Sequence, residues 1–342
     1  MEQRPLGRTG VSVSPLCLGT LMFGAIGNAD HDDSIAVIRA ALDAGINFVD
    51  TADVYSSGES EEIVGKALLG RREEVVLATK VHGPMGEGPN QGGISRRWII
   101  KECEASLRRL QTDHVDLYQL HRPDAGTDLD ESLGALSDLV HQGKVRYLGS
   151  STFPGSTIVE SQWVAERRGR ERFVSEQPPY SMLARGAEVD VLPTCQRYGM
   201  AVIPWSPLGG GWLSGKWRKG ATEMTSRRSG ILPWRYDLGF PGNERKLDAT
   251  DGLARLADEA GMPLPHLAVA WVLNHPAVTA PIIGPSSMDQ LVSLLGAVDV
   301  VLEPDLLDRI DEIVPPGTNF ISGDLGYVPP SLADPAERRR RR

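Results

Sequence analysis

The chain has 342 residues, 41% of them hydrophobic and 24% charged, with a net charge of −9 at pH 7. This is the composition of a folded globular protein with a sizeable core, and its acidic balance argues against nucleic acid or a membrane surface as a partner, since both want a concentrated positive field. Cys17, Cys103 and Cys195 are odd in number and widely spaced, which disfavours a disulfide framework or a zinc site.

The N-terminus, MEQRPLGRTG, lacks the basic start and apolar run of a signal peptide, and no stretch holds 18 uninterrupted apolar residues, so the chain reads as cytoplasmic. Pro5 to Val13 reads as a small hairpin with Gly7 and Gly10 as turn residues, placed to plug the bottom of whatever follows. Then short β-rich apolar runs alternate with helical patterns. The runs are PLCLGT (15–20), NFVD (47–50), VVLATK (75–80), VDLYQLH (115–121), VRYLGSS (145–151), FVSEQ (173–177), AVIPWS (201–206) and TAPIIG (279–284). Between them, DDSIAVIRAALDAG sets Ile35, Ile38 and Leu42 on one face behind an Asp cap. SRRWIIKECEASLRRL aligns Ile99, Cys103, Leu107 and Leu110 behind Ser95. Eight strand–helix repeats imply a parallel sheet closed into a (β/α)8 TIM barrel, a single domain over 1–330.

Two segments stand outside that rhythm. Residues 209–247 show no periodicity and are rich in Gly, Arg and Trp, so they form a long loop after strand seven, of the kind that is usually functional. The segment 263–275 reads as a helix opening with proline and packing Leu267, Ala270 and Trp271 inward. Residues 331–342 end in five arginines, Arg338 to Arg342, and read as a disordered, solvated tail.

In a barrel, reactive groups come from the C-terminal ends of the strands and the loops after them. Asp50 ends strand two, Lys80 ends strand three, His121 ends strand four, and Tyr55 lies in the loop after Asp50. Singly, each has an ordinary structural explanation; clustered on three consecutive strand ends, they form a chemical set. A phenol is a poor acid at pH 7 because its unperturbed pKa is about 10. An ammonium beside it favours the phenolate, a carboxylate keeps that ammonium charged and oriented, and an imidazole polarises a carbonyl as negative charge develops. This is the acid half of a hydride reduction, whose hydride must come from a cofactor. His31, Asp32 and Asp33 offer no third metal ligand at suitable spacing and read as a capped helix start, while Asp113, His114 and Asp116 fall at the bottom of strand four and read as structural. Phe23, His82, Arg122, Trp212, Trp234 and Tyr236 fall in loops at the top and line the expected substrate pocket.

Gly210, four residues, then Gly215-Lys216 nearly spells the phosphate loop G-x-x-x-x-G-K, but Trp217 stands where a Ser or Thr would hold Mg²⁺. The motifs GINFVDTADVYSSGESEEIVGKAL, VVLATK, VDLYQLHRPD and VRYLGSSTF resemble, in order and spacing, the signature segments of the aldo-keto reductases. The resemblance runs from about residue 5 to 315. It implies a (β/α)8 barrel that binds NADPH and a catalytic tetrad of Asp50, Tyr55, Lys80 and His121, with Tyr55 as general acid. It also implies that Trp205, Ser206, Pro207, Leu208, Gly210 and Lys216 stack on the nicotinamide and wrap the pyrophosphate. Ser151, Thr152 and Gln177 would meet the carboxamide, Gly19 and Thr20 would line the cofactor cleft, and Gly284, Ser286 and Gln290 would hold the adenosine end. Arg227 or Arg228 would meet the 2′-phosphate. The family's usual Glu-Asn pair for adenine falls on Ser293-Leu294, which cannot make those hydrogen bonds. WSPL and SEQPPYSML look most like the branch of the potassium-channel β subunits and bacterial sugar-aldehyde reductases.

The implied activity is NADPH-dependent reduction of an aldehyde or ketone to an alcohol. The alternatives are reduction of a keto or enoyl deoxysugar intermediate in secondary metabolism, and a slow-turnover NADPH-binding redox sensor. Neither the small carbonyl substrate nor any oligomeric state is legible in the residues.

Overall fold

The computed structural model describes residues 1–221, Met224 and 227–339, with Arg227, Arg228 and Ser331 described in backbone only. Strands β1 (Arg4–Pro5) and β2 (Ser12–Val13) form the antiparallel N-terminal hairpin, and Gly7 and Gly10 take the positive φ its turn requires. Leu6 and Val13 are fully buried against Cys17, Phe48, Ala78, Leu117 and Ala201, residues of the barrel interior near the strand starts. The hairpin therefore stoppers the bottom of the barrel, as its sequence suggests.

Eight parallel strands follow in chain order: β3 (Cys17–Gly19), β4 (Phe48–Asp50), β5 (Val76–Val81), β6 (Val115–Leu120), β7 (Val145–Ser151), β8 (Phe173–Gln177), β9 (Ala201–Val202) and β10 (Ile282–Ile283). From β4 to β9 each pairs with its predecessor, and β10 pairs with β3. Closure is completed where the amides of Thr279 and Ile282 donate to the carbonyls of Val202 and Pro204. All eight expected strands are present, and the (β/α)8 architecture holds.

The helices lie outside: α1 (His31–Asp43), α2 (Glu59–Ala67), α3 (Arg96–Leu110), α4 (Leu129–His141), α5 (Gly155–Arg168), α6 (Val191–Tyr198), α7 (Arg227–Ile231), α8 (Asn243–Glu259), α9 (Leu264–Asn274), α10 (Met288–Leu295), α11 (Pro304–Ile313) and α12 (Pro330–Ala333). Asp30 caps α1 by accepting from the Asp33 amide, and Ser95 caps α3 by accepting from Trp98. Alternation along the strands sorts the core. In β6, Leu117 faces the barrel interior while Tyr118 and Leu120 join the helix-facing cluster, the period of two expected of a strand.

The expected loop at 209–247 needs correction at its end. It contains a short 3₁₀ turn (Gly209–Ser214), α7 and a second 3₁₀ turn (Pro233–Arg235), but α8 already begins at Asn243. The buried face of α8 includes Asn243, Lys246, Thr250 and Asp251, so its periodicity is partly polar and a search for apolar spacing misses it. After α11 the chain crosses back over the barrel top as a strap: Arg185 donates its amide to the Thr318 carbonyl, and Gly326 lies against Trp205 and Thr152. Beyond α12 a helical turn covers Pro335–Arg338, and Arg340 to Arg342 lie outside the described residues.

Candidate active site

At the top of the barrel, Asp50, Lys80 and Tyr55 meet. Lys80 is fully buried, and its three ammonium hydrogens are all used: on Asp50 Oδ2 at 2.6 Å, on the Thr51 carbonyl at 2.8 Å and on Tyr55 Oη at 3.0 Å. Burial opposes its charge, but Asp50 and Tyr55 outweigh that and hold the ammonium pKa above its ordinary value. The other oxygen of Asp50 accepts from Gln119 Nε2 at 3.0 Å and Gln177 Nε2 at 2.9 Å. The carboxylate thus has three side-chain donors and one orientation. Because the phenol oxygen accepts from Lys80, its own hydrogen points away from the lysine.

Tyr55 is set by an unusual turn. Ser56 and Ser57 both take positive φ, 48° and 56°, a conformation disfavoured for residues bearing a Cβ and concentrated at functional sites. The turn is held from outside, since Ser56 Oγ donates to the Phe23 carbonyl and accepts from the Ile26 amide, both at 3.1 Å. The His121 ring stands edge-on to Tyr55, with ring centroids 5.8 Å apart. Burial first, then the charges of Lys80 and Arg122 and the neighbouring His82, push its pKa well below the usual imidazole value. His121 is therefore neutral at pH 7, a hydrogen-bond donor rather than an acid.

The other expected site residues fall around this centre. Trp205 is fixed beside the end of β8, its amide donating to Pro178 O and its carbonyl accepting from Tyr180 N. Ser206 follows with φ 58°, and Gly209, Gly210 and Gly211 have φ 58°, 74° and 108°. Here the amides of Gly209 and Gly211 donate to the carbonyls of Ser206 and Leu208 at 2.8 and 2.9 Å, so the run is a pair of tight turns with no side chains on its surface. Pro207 is buried, Leu208 half-buried and Lys216 exposed. Gly19 and Thr20 lie next to Gly284 across the β3–β10 pair, with a Cβ on Gly284 4.0 Å from the Gly19 carbonyl. Thr20 Oγ1 donates to the Asp50 carbonyl at 3.2 Å. Ser286 and Gln290 are joined at the start of α10, where Gln290 Oε1 accepts from the Ser286 amide at 2.9 Å. Ser151 Oγ donates to the Gln177 carbonyl at 3.0 Å, and Thr152, at φ 62°, accepts from Arg122 at 3.1 Å. The side chains of Arg227 and Arg228 lie outside the described residues.

Two readings of the sequence change here. Phe23 and Trp212 were expected to line the substrate pocket, but Phe23 belongs to the core, and Trp212 is buried in a stack with Trp217 at 4.4 Å and Tyr236 at 5.9 Å. Tyr236 in turn donates to the Gly210 carbonyl at 2.7 Å, so these rings support the glycine loop from beneath. The near-match to a nucleotide-triphosphate loop also dissolves. Among the described residues no helix starts at Lys216, the next being α7 at Arg227, and Trp217 is part of the aromatic stack.

Sequence reasoning passed over two features. Gln119 sits between Leu117 and His121 in the inward register of β6, and that period of two was the available signal for its contact with Asp50. The second is the strap anchor. Lys246 donates to both carboxylate oxygens of Asp324 at 2.8 Å, Arg235 approaches the same group at 3.5 Å, and Asp324 lies 78 and 89 residues beyond them in the chain. Nothing local marks them.

Comparison with known proteins agrees with this geometry. The model of the aldo/keto reductase family matches residues 15–315. A protein of Bacillus subtilis (strain 168) described as an uncharacterized oxidoreductase is 41% identical, covering 92% of this chain and 96% of its own. A protein of Arabidopsis thaliana described as "Probable voltage-gated potassium channel subunit beta" is 36% identical over 92% and 97% of the two chains. Versiconal hemiacetal acetate reductase of Aspergillus parasiticus is 33% identical over 91% and 96%. With its closed barrel, its buried lysine–carboxylate–tyrosine cluster and a family match across most of its length, the chain belongs to the aldo/keto reductase family, a family of oxidoreductases.

Proposed function

We propose that the protein reduces an aldehyde or ketone to an alcohol with NADPH as reductant and Tyr55 as proton donor. The observation that carries the reading is the direction of one hydrogen bond: Lys80 donates into Tyr55 Oη. The phenol hydrogen is left to point at a carbonyl oxygen above it, beside the neutral His121 ring. As negative charge grows on that oxygen, His121 donates to it and Tyr55 releases its proton. Lys80 stabilises the phenolate that remains, and Asp50, gripped by Gln119 and Gln177, keeps the lysine charged and aimed.

The residues fit a dinucleotide. Trp205 offers a half-buried ring beside the tetrad, the Gly209–Gly211 turn carries no side chains and so leaves room for phosphate close to the backbone, and Lys216 adds an exposed cation. Gly19, Thr20 and Gly284 lie at the C-terminal ends of the paired strands β3 and β10, and Ser286 and Gln290 at the start of α10, the place we assign to the adenosine end. When bound, the reduced nicotinamide supplies the hydride. Arg227 is the candidate partner of the 2′-phosphate that would favour NADPH.

The relatives described as channel β subunits keep a second reading in play, a tightly bound redox module that turns over slowly. The strap pressed on Trp205 supports it, because a covered cofactor leaves slowly. One set of measurements separates the two. NADPH binding is followed by quenching of tryptophan fluorescence, and benzaldehyde then oxidises the bound NADPH, with Tyr55→Phe as control. Turnover that falls by 10²-fold or more in Tyr55→Phe, with NADPH binding retained, is the expected result. Binding with no turnover in the wild type supports the sensor, and absence of binding refutes the cofactor reading.

A further inference from the structure

The residue after His121 is the feature of the site that the proposed mechanism leaves unused. Arg122 is half-buried and turns back over the centre: Nη1 donates to the His121 carbonyl and, at 3.1 Å, to Thr152 Oγ1, while the guanidinium carbon stands 5.8 Å from the centre of the Trp205 ring. It is close enough to Tyr55 for the two groups to interact electrostatically. Among the described residues its Nε and Nη2 make no hydrogen bond and no carboxylate lies within 4 Å of it; the buried Glu176 acts on its charge only from a distance.

Other sheltered arginines of this chain are not left so. Arg72 meets Asp116, Arg109 meets Glu61 and Glu102, Arg185 meets Glu188 and Asp311, and Arg235 meets Asp324. Arg4, which has no carboxylate, spends both terminal nitrogens on backbone carbonyls. A cation withdrawn from water with no carboxylate in contact is costly, and this one stands beside His121 and Tyr55. The Nε/Nη2 edge is the edge that grips a planar carboxylate with two parallel hydrogen bonds. Nearby, the buried Trp205 Nε1 also lacks an acceptor, so the pocket has donors in excess on this side.

The nitrogen fork does not suit the cofactor as well. Arg122 sits at the tetrad end, beside the ring expected to stack on nicotinamide, whereas the phosphate is assigned to the glycine turn and Lys216. A cation there disfavours the positively charged oxidised nicotinamide unless an anion accompanies it.

We propose, building on the reductase reading, that the protein's substrates are oxo acids: aldehydes or ketones whose carboxylate is held by the Nε/Nη2 edge of Arg122 while the carbonyl oxygen meets Tyr55 and His121. The carboxylate completes the unpaired guanidinium and fixes which face and which end of the substrate reaches the hydride. In the reaction the carbonyl carbon gains hydride from NADPH and the oxygen gains the Tyr55 proton, yielding a hydroxy acid and NADP⁺; the carboxylate takes no part in bond making.

The test compares 3- and 4-carboxybenzaldehyde with their methyl esters, at saturating NADPH, in the wild type, Arg122→Gln and Arg122→Lys. The ratio of kcat/KM for acid over ester is read within each protein, so a general loss of activity cancels. A charge-assisted pair is worth roughly 10- to 100-fold. The wild-type ratio is expected in that range for at least one isomer, falling to about 1 in Arg122→Gln, chiefly through KM, and to an intermediate value in Arg122→Lys. Equal turnover of acids and esters by the wild type overturns the oxo-acid proposal and leaves the reductase reading standing. Absence of both NADPH binding and turnover refutes the reductase reading itself. A ratio that survives in Arg122→Gln while the Kd for NADPH rises also overturns the proposal, since Arg122 then serves the cofactor. If Arg122→Gln fails to fold, inhibition of the wild-type holoenzyme by benzoate against benzamide decides: stronger inhibition by benzoate, lost in Arg122→Lys in proportion to its ratio, supports the site, and equal inhibition overturns it.

Discussion

Asp53 is a buried acid with one oxygen unanswered, and replacing it tests how the site's supports respond to pH. It is fully buried, Oδ1 accepts from the Val54 amide at 2.7 Å, and Oδ2 has no partner. Desolvation first, then the neighbouring Glu61 and Glu102, push its pKa up from 3.8 to about 8. A carboxyl raised in the folded state holds its proton there while the unfolded chain has lost it. Its contribution to stability is therefore complete below pH 4 and is lost progressively as pH rises towards 8. At about 1.4 kcal/mol per unit, keeping that proton costs about 4 kcal/mol at pH 7, an upper value because Glu61 and Glu102 share the field. Asp53→Asn removes the titration but leaves an amide donor without an acceptor, costing about 1–3 kcal/mol. The variant should be more stable than wild type by about 1–3 kcal/mol at pH 7 and equal or less stable at pH 5. The melting temperature, at about 2 °C per kcal/mol, is measured from pH 5 to 8 alongside urea unfolding at the two ends. A difference between the proteins that stays constant across that range refutes the assignment of the proton to Asp53.

Two further outcomes follow from buried charges. Lys80→Met leaves Asp50 buried with only Gln119 and Gln177 as side-chain donors, so stability should fall by about 3 kcal/mol, the low end for a broken buried pair; the double variant Asp50→Asn/Lys80→Met should recover most of it, and urea midpoints that show no recovery exclude the pairing as the cause. Asp324→Asn removes the charge opposite the buried Lys246, and hydrogen exchange should rise in residues 318–326 more than in the barrel strands; a uniform rise, or none, refutes the role of that pair in anchoring the strap.

Much of this molecule is written locally. The eight strands, the cap at Ser95, and the hairpin turn at Gly7 and Gly10 follow from period, capping and glycine geometry, each of which acts over a few residues; α1 instead starts earlier than its apolar pattern, capped by Asp30 with Asp32 and Asp33 in its first turn. Asp50, Lys80 and His121 were also legible, because a charged or titratable residue at the end of an apolar strand is conspicuous, and a barrel sends all such ends to one place. What the sequence could not contain is the relation between distant segments. α8 was hidden because its buried face is polar, and the reason for burying Lys246 is Asp324, 78 residues later. The direction of the Lys80–Tyr55 hydrogen bond, the double duty of Gln119 and Gln177 on one carboxylate oxygen, and the Arg122 edge that no carboxylate touches exist only once the strands close. Charge pairing and hydrogen-bond direction depend on distance in space, and only the closed barrel determines which groups are near enough to answer one another.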